Sequence, residues 1–171
     1  MKKVYLDNAS TTAMRPEVIQ VMVDCMAQDY GNPSSTHSLG RHAKSILELS
    51  RKSIAKALNA TAQEILFTSG GTEANNWILR SAVKDLKVRR IISSKMEHHA
   101  VLYPILELQK EFDIQVEYVE NSADGVLDLT HLVDLLSEST EKTLVSLMHV
   151  NNETGVILDL ERVSQICQEH H

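Results

Sequence analysis

Three short stretches carry the residue types from which chemistry is made. Thr68-Ser69-Gly70-Gly71-Thr72 lies between the apolar run Ile65-Leu66-Phe67 and the helix-like Trp77–Val83. Glycines at a strand-to-helix seam let the backbone approach a ligand closely, and the first N–H groups of a helix lack internal partners and carry the positive end of its dipole. Gly70, Gly71 and Thr72 therefore form a candidate phosphate cradle, with the Thr72 hydroxyl as an extra donor. The same pattern also serves a plain turn in which Thr72 is a helix N-cap. It is neither GxGxxG nor GxxxxGK[ST], which favours a small phosphorylated group over a dinucleotide or nucleoside triphosphate.

The second stretch, Ser94-Lys95-Met96-Glu97-His98-His99, follows the apolar run Arg90–Ser93, and the third, Asn151-Asn152-Glu153-Thr154-Gly155, follows Leu144–Val150. Both fall where an α/β sheet places its ligands, just past the carboxyl ends of strands. The imidazole of His98 suits stacking on a flat heteroaromatic ring or acid–base work, and the Asn152 amide suits donation to a phenolate-type oxygen. Taken singly, each has a plainer reading: a surface histidine, and an Asn-Asn turn. Zinc binding by His98, His99 and His149 is disfavoured, because adjacent histidines point in different directions and no HExxH or CxxC is present. No GxSxG elbow announces a nucleophilic serine.

The elements that must position these stretches alternate along the chain. Apolar runs at Ile65–Thr68, Arg90–Ser93, Ile114–Val119 and Leu144–Val150 read as strands, with helical spacing from about Thr72, Ala100, Leu129 and Asp159. Alternation of this kind predicts an α/β fold, a mostly parallel sheet covered by helices on both faces. Before it, Val4–Leu6 reads as a short strand. Val18, Ile19, Met22, Cys25 and Met26 recur at helical spacing after Pro16. A polar loop over Gly31–Gly40 leads to a long helix with Ala43, Ile46, Leu47, Ile54 and Leu58 on one stripe.

At 171 residues the chain suits one domain or a large piece of one, and 43% hydrophobic with 23% charged residues matches a folded globular protein. The net charge is −6 and the 17 Lys and Arg are dispersed, so no nucleic-acid partner is expected. No stretch reaches the roughly 18 apolar residues of a membrane span, and Met1–Asp7 has no apolar signal core, so no membrane contact is expected and the expected compartment is the cytoplasm. Cys25 and Cys167 are far apart inside helix-like segments and read as buried packing residues. The chain stops after its last helical pattern, which reads either as a sequence cut short or as a natural polar end at His170-His171.

The blocks "YLDNASTT" (5–12), "GNPSSTHSLG" (31–40), "EILFTSGGTEANN" (64–76), "SSKMEHHAVL" (93–102) and "VSLMHVNNETGV" (145–156) occur in this order. Together they resemble the amino-terminal part of the NifS/IscS-type cysteine desulfurases, enzymes of the class V aminotransferase group. The resemblance implies a fold type I large domain that binds pyridoxal 5′-phosphate, incomplete in this chain, with residues 1–15 belonging to the small domain and 16–171 to the first part of the large one. It implies that Gly70, Gly71 and Thr72 hold the coenzyme phosphate. His98 would be catalytic, stacking on the ring and assisting proton transfers, and Asn152 would bond the 3′ oxygen. Asn8, Ala9 and Asn32 would lie on the substrate side. The reaction implied takes L-cysteine to L-alanine and leaves sulfur as an enzyme persulfide for a sulfur-acceptor or iron–sulfur scaffold protein. A homodimer is the implied assembly.

Family members run to more than twice this length, and the coenzyme-bearing lysine, the aspartate that pairs with the ring nitrogen, the persulfide cysteine and the carboxylate-binding arginine match no position here. Lys95 has the wrong motif neighbours for the first of these. The 171 residues alone are therefore expected to be inactive. Ser10 and Ala13 within "DNASTTA" also admit a selenocysteine lyase or an aminotransferase with another substrate. A short paralogue that binds a desulfurase or its partners is the third reading.

Overall fold

The computed structural model describes residues 3–170, which form two compact units divided between Phe67 and Thr68. The first unit is built on α1 (Pro16–Gln28) and α2 (Ser38–Ala57), followed by a single 3-10 turn at Ala62–Glu64. Pro16 starts α1 where a missing N–H costs nothing. His37 caps α2 by accepting from the Gly40 N–H through Nδ1 at 3.4 Å. Thr61 and Glu64 close a reciprocal capping box, the Thr61 N–H donating to the Glu64 carboxylate at 2.7 Å. In the Gly31–Gly40 loop both end glycines are obligatory, because a Cβ on Gly31 would meet the Leu39 carbonyl and one on Gly40 the Ser35 carbonyl.

The second unit is the α/β one. Its central strand β1 (Arg90–Ser94) pairs in parallel with β2 (Gln115–Val119) on one side and β3 (Thr143–Val145) on the other, giving a three-stranded sheet of order β2-β1-β3. Every residue of β1 is buried, as a strand covered on both faces requires. Successive side chains point to opposite faces, and the core divides accordingly. Ile91 packs with Leu79 and Val83 of α3 (Gly71–Lys84) and with Ile105 and Leu108 of α4 (His99–Phe112). Ile92 packs on the other face with Leu132 and Leu135 of α5 (Leu129–Ser137) and with Val163 and Ile166 of α6 (Leu160–Glu169). Asp128 and Asp159 cap α5 and α6 through their carboxylates, at 2.8 Å to the Thr130 N–H and 3.0 Å to the Arg162 N–H.

The expected α/β class with a parallel sheet is the observed one, but several element boundaries differ. Neither Val4–Leu6 nor Ile65–Thr68 is a strand, because a strand exists only through a paired neighbour and neither run enters a ladder among the described residues. Leu6 and Leu66 are accordingly exposed. The third strand ends at Val145; after one more bond, from the Ser146 N–H to the Ile92 carbonyl at 2.9 Å, the chain leaves the sheet and folds on itself through an antiparallel bridge between Val150 and Ile157. The apolar row of α1 buries no side chain, so Cys25 is exposed rather than buried. Cys167 is half-buried on the Ile92 face of the sheet. On α2 the residues that pack are Gly40, Ala43 and Ala55, while Leu47, Ile54 and Leu58 of the expected stripe are exposed.

Candidate functional site

Parallel strands deliver all their carboxyl ends to one edge of the sheet, and this places the loop after β1 beside the loop after β3. His98 is the N-cap of α4, and its Nδ1 accepts from the Ala100 N–H at 3.0 Å. That bond needs a lone pair on Nδ1, so the neutral ring carries its proton on Nε2. The His99 ring lies 6.2 Å from that of His98 at 54° and stacks on Tyr103 at 4.9 Å and 15°, and His99 lines the same two concavities as His98. Among the described residues no cluster of three His, Cys, Asp or Glu is placed to hold a metal.

α3 opens at Gly71 with Gly70 as its cap. The backbone of Gly70 is extended, a conformation open to any residue, and a Cβ at Gly70 or Gly71 would meet nothing within 4 Å. Neither glycine is required by the packing of this chain. The room beside them is what a bound group in close contact with backbone amides would use, and on this test the seam fits a phosphate. Glu73 reaches back one turn, its carboxylate accepting from the Ser69 N–H and hydroxyl at 2.6 Å each, and these bonds lower its pKa. The amides that follow are left free of it. The Asn76 side chain donates to the Thr72 carbonyl at 2.9 Å, and the Thr72 hydroxyl sits on the exposed side.

Two concavities meet at His98 and His99. One, of about 330 Å³, is lined by Thr72, Asn76, His98, His99 and Tyr103 among others. The second, of about 370 Å³, is lined by Lys95, His98, Asn151 and Asn152 among others. Thr72 and His98 thus share one concavity and His98 and Asn152 the other, the three residues coming from the start of α3, the loop after β1 and the loop after β3. Asn8, Ala9 and Asn32 lie in the first unit. Asn8 and Ala9 belong to an exposed turn in which the Ser10 hydroxyl donates to the Asp7 carboxylate at 2.8 Å, and Asn32 builds a turn by accepting from the Ser34 N–H at 2.9 Å.

Two further residues shape the site and were not read from the sequence. The buried Glu97 carboxylate accepts from the Met148 N–H, and the Asn151 side-chain amide donates to the Met96 carbonyl at 3.0 Å. Burial raises the pKa of Glu97, opposed by the Met148 bond. Their partners are backbone groups some fifty positions away, which no local pattern announces.

Residues 4–171 match the family described as Aminotransferase class-V. The chain is 41% identical over 171 residues to a protein named cysteine desulfurase IscS from Dictyoglomus turgidum, covering 99% of this chain and 43% of that protein. It superposes with TM-score 0.92 on a structure titled NifS-like protein, at 36% identity, covering 99% of this chain and 46% of that one. A structure titled SspA in complex with cysteine matches with TM-score 0.85 at 29% identity, covering 97% of this chain and 48% of that one. The chain therefore spans less than half the length of these relatives.

Proposed function

The chain belongs to the Aminotransferase class-V family, and from that premise we propose that it is part of a cysteine desulfurase, which takes L-cysteine to L-alanine and passes the sulfur to an enzyme cysteine as a persulfide. The observation that carries this reading is that His98 lines both the concavity shared with Thr72 and the one shared with Asn152.

Pyridoxal 5′-phosphate, when bound, supplies the electron sink on which such chemistry depends. The residues of this chain hold and orient it. The amides after Gly70 and the Thr72 hydroxyl bind the phosphate, using the positive end of α3. His98 would hold the coenzyme ring and offer Nε2–H as the proton-exchanging atom, since Nδ1 is committed to Ala100. The exposed amide of Asn152 donates to the 3′ oxygen. On this reading Asn8, Ala9 and Asn32 would serve the substrate in the whole protein, residues 1–15 would belong to the small domain, and 16–171 would form the first part of the large domain.

The same reading assigns the protein to the cytoplasm as a homodimer that hands its sulfur to an acceptor or iron–sulfur scaffold protein. Among the described residues no helix is long and apolar enough to cross a membrane.

The test is an assay of the whole gene product for alanine and sulfide formed from L-cysteine in the presence of pyridoxal 5′-phosphate, with selenocysteine and other amino acids as competitors. Equal release of alanine and sulfur supports a desulfurase. Amino transfer without sulfur release would assign the chain to another activity of the same family.

A further inference from the structure

His98 and Asn152 sit on different loops, and each is immediately preceded by a residue whose side chain reaches across to the other loop. Glu97 accepts from the Met148 N–H, and Asn151 donates to the Met96 carbonyl at 3.0 Å, so the two side chains reach in opposite directions between the same two loops while the second loop supplies the donor in both bonds. Each residue is also anchored at home. The side-chain oxygen of Asn151 accepts from the Glu153 and Thr154 N–H groups, both at 2.9 Å, and its backbone N–H donates to the Val156 carbonyl at 2.9 Å. On the first loop, the Glu97 N–H donates to the Ser94 carbonyl at 3.3 Å, and the Ser94 hydroxyl accepts from the Met96 N–H at 3.0 Å.

Glu97 is only 8% exposed. Burying a carboxylate opposes folding, and an apolar side chain would fill the same space at lower cost. Its contribution must then be directional: it satisfies the Met148 N–H and fixes where the second loop runs. We propose that Glu97 and Asn151 are positioning residues, a two-bond latch that sets the spacing between His98 and Asn152 so that both meet one bound coenzyme ring. The proposal rests on the coenzyme reading above and names how its site is held.

The test uses the full chain and 4′-deoxypyridoxine 5′-phosphate, a coenzyme analogue that lacks the aldehyde and so binds without any lysine. Glu97→Ala should weaken binding about tenfold, the scale of one lost polar interaction, and Glu97→Gln, which still offers an acceptor to Met148, should bind within about threefold of wild type. The latch acts through Asn152, so Glu97→Ala combined with Asn152→Ala should be little worse than Asn152→Ala alone, whereas its effect should multiply with that of Thr72→Val. Asn151→Asp keeps the acceptor oxygen of both turn-building bonds but cannot donate to Met96, so it should repeat the Glu97→Ala loss even where the alanine variant folds poorly. Without any ligand, amide exchange at Met148 should quicken in Glu97→Ala and stay slow in Glu97→Gln.

Unchanged binding in both Glu97→Ala and Asn151→Asp, or an effect of Glu97→Ala that multiplies equally with both partner variants, overturns the latch while leaving the coenzyme reading intact. Failure of the wild-type chain to bind the analogue overturns both.

Discussion

Thr72, in the first turn of α3, and His98, the cap of α4, line one concavity. Two helix N-termini therefore face a common space, one offering unpartnered amides and the other an imidazole whose free nitrogen carries the proton. A phosphate and a flat ring on one molecule would satisfy both.

Replacing Gly70 or Gly71 by alanine separates binding from folding. A Cβ at either position meets nothing within 4 Å, and neither backbone needs glycine, so each variant should be as stable as wild type or more so, with Gly71→Ala gaining up to about 1 kcal/mol from helix propensity. Affinity for pyridoxal 5′-phosphate should nevertheless fall, because the methyl group occupies the space the phosphate needs. Thermal unfolding beside a fluorescence titration checks both halves.

Glu97 gives the protein a pH signature. Burial holds its carboxyl above the ordinary range, so between the unfolded pKa of about 4.3 and the raised folded value the native state binds more protons than the unfolded one. Stability from this group is thus greatest at low pH, declines as pH rises through that interval, and levels off above it. Glu97→Gln lacks the proton, so its stability relative to wild type should climb over the same interval. Urea unfolding of both proteins from about pH 4 to pH 8 measures the difference.

Arg90 is the buried charge of the sheet. Its Nε donates to Glu117 and its Nη2 donates to the Leu135 carbonyl at 2.7 Å, while its side chain is 1% exposed. Arg90→Ala should cost about 3–5 kcal/mol, since it leaves a cavity and strips Glu117 and Leu135 of their donor. Arg90→Met, which refills the volume, should recover part of that loss in urea unfolding.

The two thiols should react very differently. Cys25 is exposed, whereas Cys167 is half-buried and burial raises its pKa, which lowers its thiolate fraction. Titration with an aromatic disulfide should modify Cys25 first, and Cys25→Ser should remove the fast phase.

How much of this was legible in the sequence depended on whether the cause was local. β1 and β2 lie in short apolar runs flanked by helical periodicity, and the Gly70–Thr72, His98 and Asn152 positions follow from where such runs end. Ile65–Thr68 has the same composition yet is no strand, because pairing is decided by a neighbour rather than by the run itself. The stretch Ser146–Val150 continues the apolar run but leaves the sheet, drawn into the turn that Asn151 organises. The apolar spacing of α1 correctly announced a helix and said nothing of whether its face would be covered. Glu97 and Asn151 were invisible for a related reason: each bonds a backbone group on another loop, and backbone partners leave no trace in residue identity.

The most direct measurement is a titration of the isotopically labelled chain with 4′-deoxypyridoxine 5′-phosphate, following the backbone amides of residues 70–72, the His98 ring and the Asn152 side-chain amide by NMR. All three sets of resonances should move along one saturation curve with a single dissociation constant. Saturation that moves residues 70–72 while leaving His98 and Asn152 in place, or no saturable change at all, would contradict the claim that they surround one coenzyme.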